Sequence, residues 1–218
     1  MNRLTSSTAP LATEVAIIMS SHPSASLTPQ QQRFRQAERL RLRHRRNHLL
    51  PNEQLAASIQ LANQLSGLIV YKQAKTIASY LPDDGEIFTD EIHQRAWANN
   101  KSIALPVIQD QQQLQFAHYK DQDTLAAGPW GIQQPKNLAF INDDAIDLVL
   151  VPLVGFDQQG NRLGRGGGFY DRFLSRCTSA TTVGLAHDFQ HIQNLPAANW
   201  DIALDFIATP STAYHCSG

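Results

Sequence analysis

The sequence predicts an α/β domain with a largely parallel sheet flanked by helices, on three observations. Apolar segments of strand length alternate along the chain with segments that are apolar at helical spacing, the order that builds parallel sheets with helical crossovers. Residues 146–154, IDLVLVPLV, are apolar almost without a break, as a strand covered on both faces must be. The 218 residues hold 42% hydrophobic and 17% charged side chains, the balance of one globular domain that needs no disulfide or structural metal. Together these predict a single domain of Rossmann-like, three-layer architecture.

The elements follow in order. Thr28 and Pro29 read as an N-cap and a first-turn proline, opening a helix that runs to about His48. Leu50-Pro51-Asn52 breaks it. Leu55, Ile59, Ala62, Leu65 and Ile69 then recur at helical spacing and predict a second helix. KTIASYL (75–81) reads as a buried strand ending in the loop PDDGE, residues 88–99 as a helix, and KSIALPVI (101–108) as a strand. Gln111 to Gln113 are expected to turn the chain into a neighbouring strand, LQFAHY (114–119). Residues 121–145 read as loop around GPWGIQQP, before the apolar strand 146–154. A glycine loop (155–168), a helix (168–177), a strand (181–186), a short helical stretch and a last strand (202–209) complete the domain. Its expected bounds are 28–210, with a mobile N-terminal tail at 1–27 and a short C-terminal tail at 211–218.

Composition narrows the function. A net charge of −1 gives no overall bias toward nucleic acid or anionic membrane. Two cysteines, Cys177 and Cys216, with no CxxC or Cys/His cluster, argue against a zinc site and a secreted disulfide framework. No apolar run approaches the ~20 residues of a membrane span. The expected compartment is the cytoplasm; a transit peptide at the N-terminus, with Arg3 and the single acid Glu14, is the alternative.

The chemistry concentrates in GNRLGRGGGFYDRFL, residues 160–174. A loop between the end of a strand and the start of a helix is where open α/β sheets bind ligands. Glycines there let backbone N–H groups approach a phosphate, aided by the helix dipole. No GxxxxGK[ST] can be read, and Phe169 stands where GxGxxG would need glycine. A tight strand-to-helix turn alone is the bland alternative. Arg162 and Arg165 favour anion binding, because guanidinium forks fit phosphate oxygens, and Asp171 adds a hard oxygen suited to Mg²⁺. A second cationic feature lies at residues 33–46, seven arginines and one glutamate with a local net of +6. That run reads as a solvated face, an RNA-binding arm or a phosphate site.

VPLVGFDQQGNRLGRGGGFYDRFL (151–174) resembles the signature of the 5-formyltetrahydrofolate cyclo-ligase family. SYLPDDGEIFTDEI, KSIALPVI, GPWGIQQP and GLAHDFQHIQNLPAANWDIALDFIAT, with Gln190, Pro196, Asp201 and Asp205, are similar to its other elements in the same order. The resemblance covers about residues 30–209. It implies conversion of 5-formyltetrahydrofolate to 5,10-methenyltetrahydrofolate, with ATP as co-substrate and Mg²⁺ as cofactor. On the same resemblance Arg35, Arg39, Arg45 and the run Arg162, Leu163, Gly164, Arg165, Gly166, Gly167, Gly168, Phe169 and Tyr170 bind ATP. Arg165 is the implied catalytic residue. Leu81, Glu86, Trp130 and the stretch Arg165 to Phe169 meet the folate, and Asp171 with Asp205 holds the metal. An ideal helix of 100° per residue, however, puts Arg46 rather than Arg45 nearer the Arg35/Arg39 face.

Phe169 stands where the family commonly has tyrosine, and Gly167 where some members have lysine. The expected partners are therefore a reduced folate and ATP, with neither membrane nor nucleic acid, and the expected state is a monomer. The competing readings are an enzyme of the same architecture, such as a sugar-phosphate isomerase or CoA transferase, and an RNA-binding relative.

Overall fold

The computed structural model describes residues 26–109 and 113–216, except the side chain of Trp130. Residues 1–25, expected as tail, and Gln111 and Gln112 of the expected turn lie outside the described residues.

Helix α1 (Pro29–Asn47) starts as the sequence predicts. The Thr28 hydroxyl accepts from the Gln31 N–H, and the Gln31 side chain accepts in return from the Thr28 N–H, a closed capping box. Its buried residues are Arg35, Leu42 and Arg46, which share one face at i, i+7 and i+11. Two of the three are arginines, so this helix turns a cationic face inward.

Helices α2 (Pro51–Gly67) and α3 (Ile69–Gln73) lead into strand β1 (Thr76–Ala78), helix α4 (Asp90–Ala98) and the pair β2 (Ser102–Ile108) and β3 (Leu114–Tyr119). A small hairpin follows, β4 (Leu125–Ala127) with β5 (Gln133–Pro135), inside the stretch read from sequence as loop. Strand β6 (Leu148–Pro152) precedes a second hairpin, β7 (Gly155–Phe156) with β8 (Arg162–Leu163). Helix α5 (Phe169–Leu174), β9 (Thr181–Leu185), β10 (Phe206–Ala208) and β11 (Ala213–His215) complete the chain.

Seven strands form one sheet in the order β11-β10-β9-β6-β1-β2-β3. The five inner strands are parallel; β3 and β11 are antiparallel edges. The apolar run of β6 explains the layering. Leu148 and Leu150 face one way, packing with Leu61 and Leu65 of α2 and Ile92 of α4. Val149 and Val151 face the other, with Phe116 of β3 and Phe173 of α5. All four are 0% exposed, and each such side chain contributes about 1.5–3 kcal/mol by leaving water. The predicted α/β class, the largely parallel sheet and the single domain are all observed.

Among the differences from the sequence reading, three bear on the cleft and the sheet edge. Strand 75–81 pairs only over Thr76–Ala78, so Tyr80 to Pro82 leave the sheet. Strand 202–209 pairs only over Phe206–Ala208, because the backbone before it is engaged elsewhere. The Ile202 carbonyl accepts from Arg162, and the Leu204 N–H donates to Gly160 O at 3.0 Å. Finally, Ala213–His215, assigned from sequence to the C-terminal tail, form edge strand β11.

Candidate functional site

A cleft of about 620 Å³ opens at the C-terminal ends of the parallel strands, within the usual range of small-molecule sites. Pro106 and Ile108 from the end of β2, Pro152 from the end of β6, and Tyr80 to Pro82 beyond β1 line it. The glycine loop closes over them. Its first half is an ordered hairpin, because the Asp157 carboxylate accepts the N–H groups of Gln159 and Asn161, each at 3.0 Å, and holds the turn. This hairpin puts Leu163 in the core with Leu42 and Val154, 0% exposed and outside the cleft lining, so any part it has in a phosphate loop falls to its backbone. Arg162 emerges from β8 into the cleft wall.

The remaining loop, Gly164 to Gly168, lines the cleft throughout. Gly166 and Gly168 have φ of +106° and +68°, a region costly to other L-residues. Side-chain atoms added at Gly164 or Gly166 would meet nothing and project into open space. A ligand can therefore come close to this backbone. Gly168 caps α5, whose first turn presents Phe169, Tyr170 and Asp171 to the cleft.

One end of the cleft is ionic. Arg35 of α1, 6% exposed, donates to Pro196 O at 2.7 Å and pairs with Asp201. Arg39 donates from Nε to Gly164 O at 2.9 Å, which ties α1 to the glycine loop. Burial lowers the Arg39 pKa, and the neighbouring charge of Arg35 lowers it further. Arg162 pairs with Asp171 at 2.5 Å; burial lowers its pKa while Asp171 and Asp201 oppose that shift. Arg165, on the loop, donates to Asp83 at 2.7 Å and lies 3.6 Å from Asp84. Burial works against its charge, yet the hydrogen bond it donates to Asp83 and the charges of Glu86, Asp83 and Asp84 raise its pKa overall.

Beyond Arg165 and Asp83, whose charges reach Glu86, the lining is apolar, with Tyr80, Leu81, Pro106, Ile108, Leu114 and Ile132 around that one buried carboxylate. Glu86 accepts the Asp83 N–H at 3.1 Å and stands 3.9 Å from Arg46. Burial pushes its pKa up, against the pull of Arg46. The Tyr170 hydroxyl is buried and has no hydrogen-bond partner among the described residues; burial, then the Glu86 charge, raises its pKa.

The Glu86 shift has a testable sign. A folded-state pKa above the ordinary 4.5 means that ionised Glu86 lowers stability at neutral pH, and that this cost disappears as pH falls below that value. Glu86→Gln keeps the shape and the acceptor for Asp83. Its melting temperature is expected above that of the parent at pH 7, with the gap closing toward pH 4. A gap that stays constant across this range in thermal unfolding would refute the argument.

Several residues singled out from sequence fall elsewhere. Asp205 is exposed at the start of β10, where its carboxylate accepts from the Thr182 N–H and hydroxyl, both at 2.8 Å. That is the opposite end of the sheet from the cleft, so Asp205 does not join Asp171. The carboxylate that does is Asp201, which lines the cleft with Asp171 and acts on the same Arg162. Arg45 also points away, stacking over the Phe189 ring at 4.3 Å in a separate shallow depression. Arg46 is 1% exposed and pairs with Asp84 at 2.5 Å beneath the cleft floor. The side chain of Trp130 lies outside the described residues. Asp83, Asp201 and Trp200 line the cleft without a role assigned from sequence, although NWD directly precedes the stretch that was read as strand.

Among the described residues no group of three or more His, Cys, Asp or Glu side chains is arranged to hold a metal ion. Asp171 and Asp201 both line the cleft, each paired with an arginine, and one or two protein carboxylates are what magnesium takes beside phosphate oxygens and water. No helix among the described residues is long and apolar enough to cross a membrane.

The 5-formyltetrahydrofolate cyclo-ligase family model matches residues 31–210. The 5-formyltetrahydrofolate cyclo-ligase of Haemophilus influenzae is 38% identical over 178 residues, 78% of this chain and 94% of that protein. The Escherichia coli K12 protein of the same name is 35% identical over 181 residues, 79% of this chain and 98% of its own. Among solved structures, the Aquifex aeolicus 5,10-methenyltetrahydrofolate synthetase superposes with a TM-score of 0.76 at 29% identity, covering 85% of this chain and 94% of that one. The Mycoplasma pneumoniae 5,10-methenyltetrahydrofolate synthetase gives 0.67 at 26% identity, covering 81% and 98%.

Proposed function

The chain belongs to the 5-formyltetrahydrofolate cyclo-ligase family, and from that premise we propose that it closes 5-formyltetrahydrofolate to 5,10-methenyltetrahydrofolate at the expense of ATP. The observation that carries this reading is one cleft with two unlike ends. The arginines and glycine loop suit phosphates, and the apolar end around Glu86 suits a flat, hydrogen-bonding ring.

The reaction needs ATP because a formamide oxygen is a poor leaving group. The γ-phosphoryl group passes to the formyl oxygen and ADP departs. N10 of the substrate then attacks the formyl carbon, the C–O bond breaks, and inorganic phosphate leaves with that oxygen and takes up the proton lost from N10. Such chemistry asks the protein for position and charge rather than for a nucleophile. In this reading the backbone N–H groups of Gly164 to Gly168 and the guanidinium groups of Arg35, Arg39, Arg162 and Arg165 receive the phosphates. Glu86, dry and acceptor-bearing, orients the pterin through its N–H groups. Leu81 and Phe169 flank the folate and exclude water. Magnesium held by Asp171 and Asp201 would neutralise phosphate charge. The wider arginine run fits this better than an RNA arm. Arg41 and Arg43 are engaged by Glu38 and Asp84, Arg45 by Phe189, and Arg35, Arg39 and Arg46 turn inward.

The test follows the near-ultraviolet absorbance of methenyltetrahydrofolate after 5-formyltetrahydrofolate is added, with and without Mg-ATP. A rise only with ATP, matched by equimolar ADP, is the expected result. Folded protein giving no rise would end this reading, and a rise without ATP would remove the phosphorylation step.

A further inference from the structure

We infer that Trp200 is the surface on which the purine of the nucleotide stacks; this rests on the nucleotide reading above. Trp200 is 62% exposed, the most exposed of the large apolar side chains among the described residues, yet it lines the cleft. What sets it apart from Leu40 and Ile69, each 61% exposed, is that it lines a ligand-sized cavity with a flat ring on which another can stack.

Its position identifies the partner. Trp200 sits in a tight turn whose two ends are tied together. The Asp201 N–H donates to Ala198 O at 3.0 Å, and the Ala198 N–H donates to the Asp201 carboxylate at 2.9 Å. The same carboxylate pairs with Arg35. The indole is thus carried one residue away from a charge at the ionic end of the cleft. The apolar end, with Leu81 and Ile108, is built by β1 and β2, across β6 from the segment that precedes β10. A flat ring attached to phosphates therefore meets Trp200, whereas the ring system near Glu86 does not. Stacking of a base on an aromatic side chain is tolerant of base identity and corresponds to about tenfold to a hundredfold in affinity.

The experiment titrates the protein and its Trp200→Ala and Trp200→Phe variants with Mg-ADP, with magnesium tripolyphosphate, and with 5-formyltetrahydrofolate. Trp200→Ala is expected to bind ADP about 10- to 100-fold more weakly and tripolyphosphate within about twofold of the parent. Folate affinity should be unchanged, and Trp200→Phe should recover most of the loss. Equal losses for ADP and tripolyphosphate would overturn the inference and assign Trp200 to holding the Asp201 turn. A loss confined to folate would overturn it in favour of the other substrate. Parent and Trp200→Ala binding ADP equally well would overturn stacking while leaving the nucleotide reading intact. A parent that binds no ADP would remove both.

Discussion

Arg165→Ala is expected to lower the rate of ATP-dependent cyclisation by about 100- to 1,000-fold, the usual cost of removing one donor aimed at developing charge. Arg165 is the cation that the glycine loop itself carries into the cleft. Its guanidinium is fixed by Asp83 at 2.7 Å, with Asp84 at 3.6 Å on the same nitrogen. The Arg165–Asp83 pair is open to solvent, at 41% and 69% side-chain exposure, so it contributes little to folding. The loss should therefore fall on kcat, with a melting temperature within a few degrees of the parent. Arg165→Lys keeps the charge but not the fork and should recover only part of the rate. Asp83→Ala removes the group that positions the guanidinium; a smaller fall in kcat, with KM for folate held, is expected. Stopped-flow absorbance gives both parameters. An Arg165→Ala protein within about threefold of the parent would show that phosphoryl charge is met elsewhere.

The largest expected effect on stability belongs to Arg46. Its side chain is 1% exposed, donates from Nε to Asp84 O at 2.5 Å and from Nη1 to Leu153 O at 3.2 Å, and pairs with the Asp84 carboxylate. Arg46→Met would take from the buried Asp84 and Glu86 the guanidinium they share, leaving Asp84 to Arg43 and Asn47 and setting an apolar side chain against both. Breaking such a pair from one side costs about 3–5 kcal/mol, on the order of 10 °C in melting temperature for a chain of this size. For Asp84, burial works against ionisation, but hydrogen bonds from Arg43 and Asn47 and the charge of Arg46 hold its carboxyl well below the usual carboxylate range. Asp84→Asn added to Arg46→Met should restore part of the loss, because it removes a buried charge that has lost its most buried cation. Urea unfolding of the four proteins in this cycle measures the coupling. A loss below about 1 kcal/mol for Arg46→Met would mean that water reaches Asp84 when the guanidinium is gone.

The parts legible in the sequence were those with a local cause. Thr28, Pro29 and Gln31 form a cap that any helix would use, and the apolar run of β6 has a composition that only a doubly covered strand explains. Gly164 to Gly168 were legible because so many glycines in one turn demand close approach of something else. The carboxylate partner of Asp171 had no such cause. Asp201 and Asp205 stand four residues apart in one apolar stretch, and nothing local separates them. They are told apart by Arg35, more than 160 residues away in sequence, and by Thr182 on a different strand. The choice between Arg45 and Arg46 shows the complementary case. Helical geometry favoured Arg46 for the inward face, family likeness favoured Arg45, and the packing of α1 follows the geometry.

The two ion pairs at the ionic end, Arg35 with Asp201 and Arg162 with Asp171, also set the electrical state of the cleft before anything enters it. Each guanidinium already has its counter-charge within the protein, so the resting cleft is close to neutral rather than a basin for stray anions. An anion alone would strand two carboxylates, and a cation alone would strand two guanidinium groups. On the function proposed above, a phosphate arriving with its metal would leave both pairs matched. The cleft would then act as a two-key lock, in which either ion raises the affinity for the other by thermodynamic reciprocity.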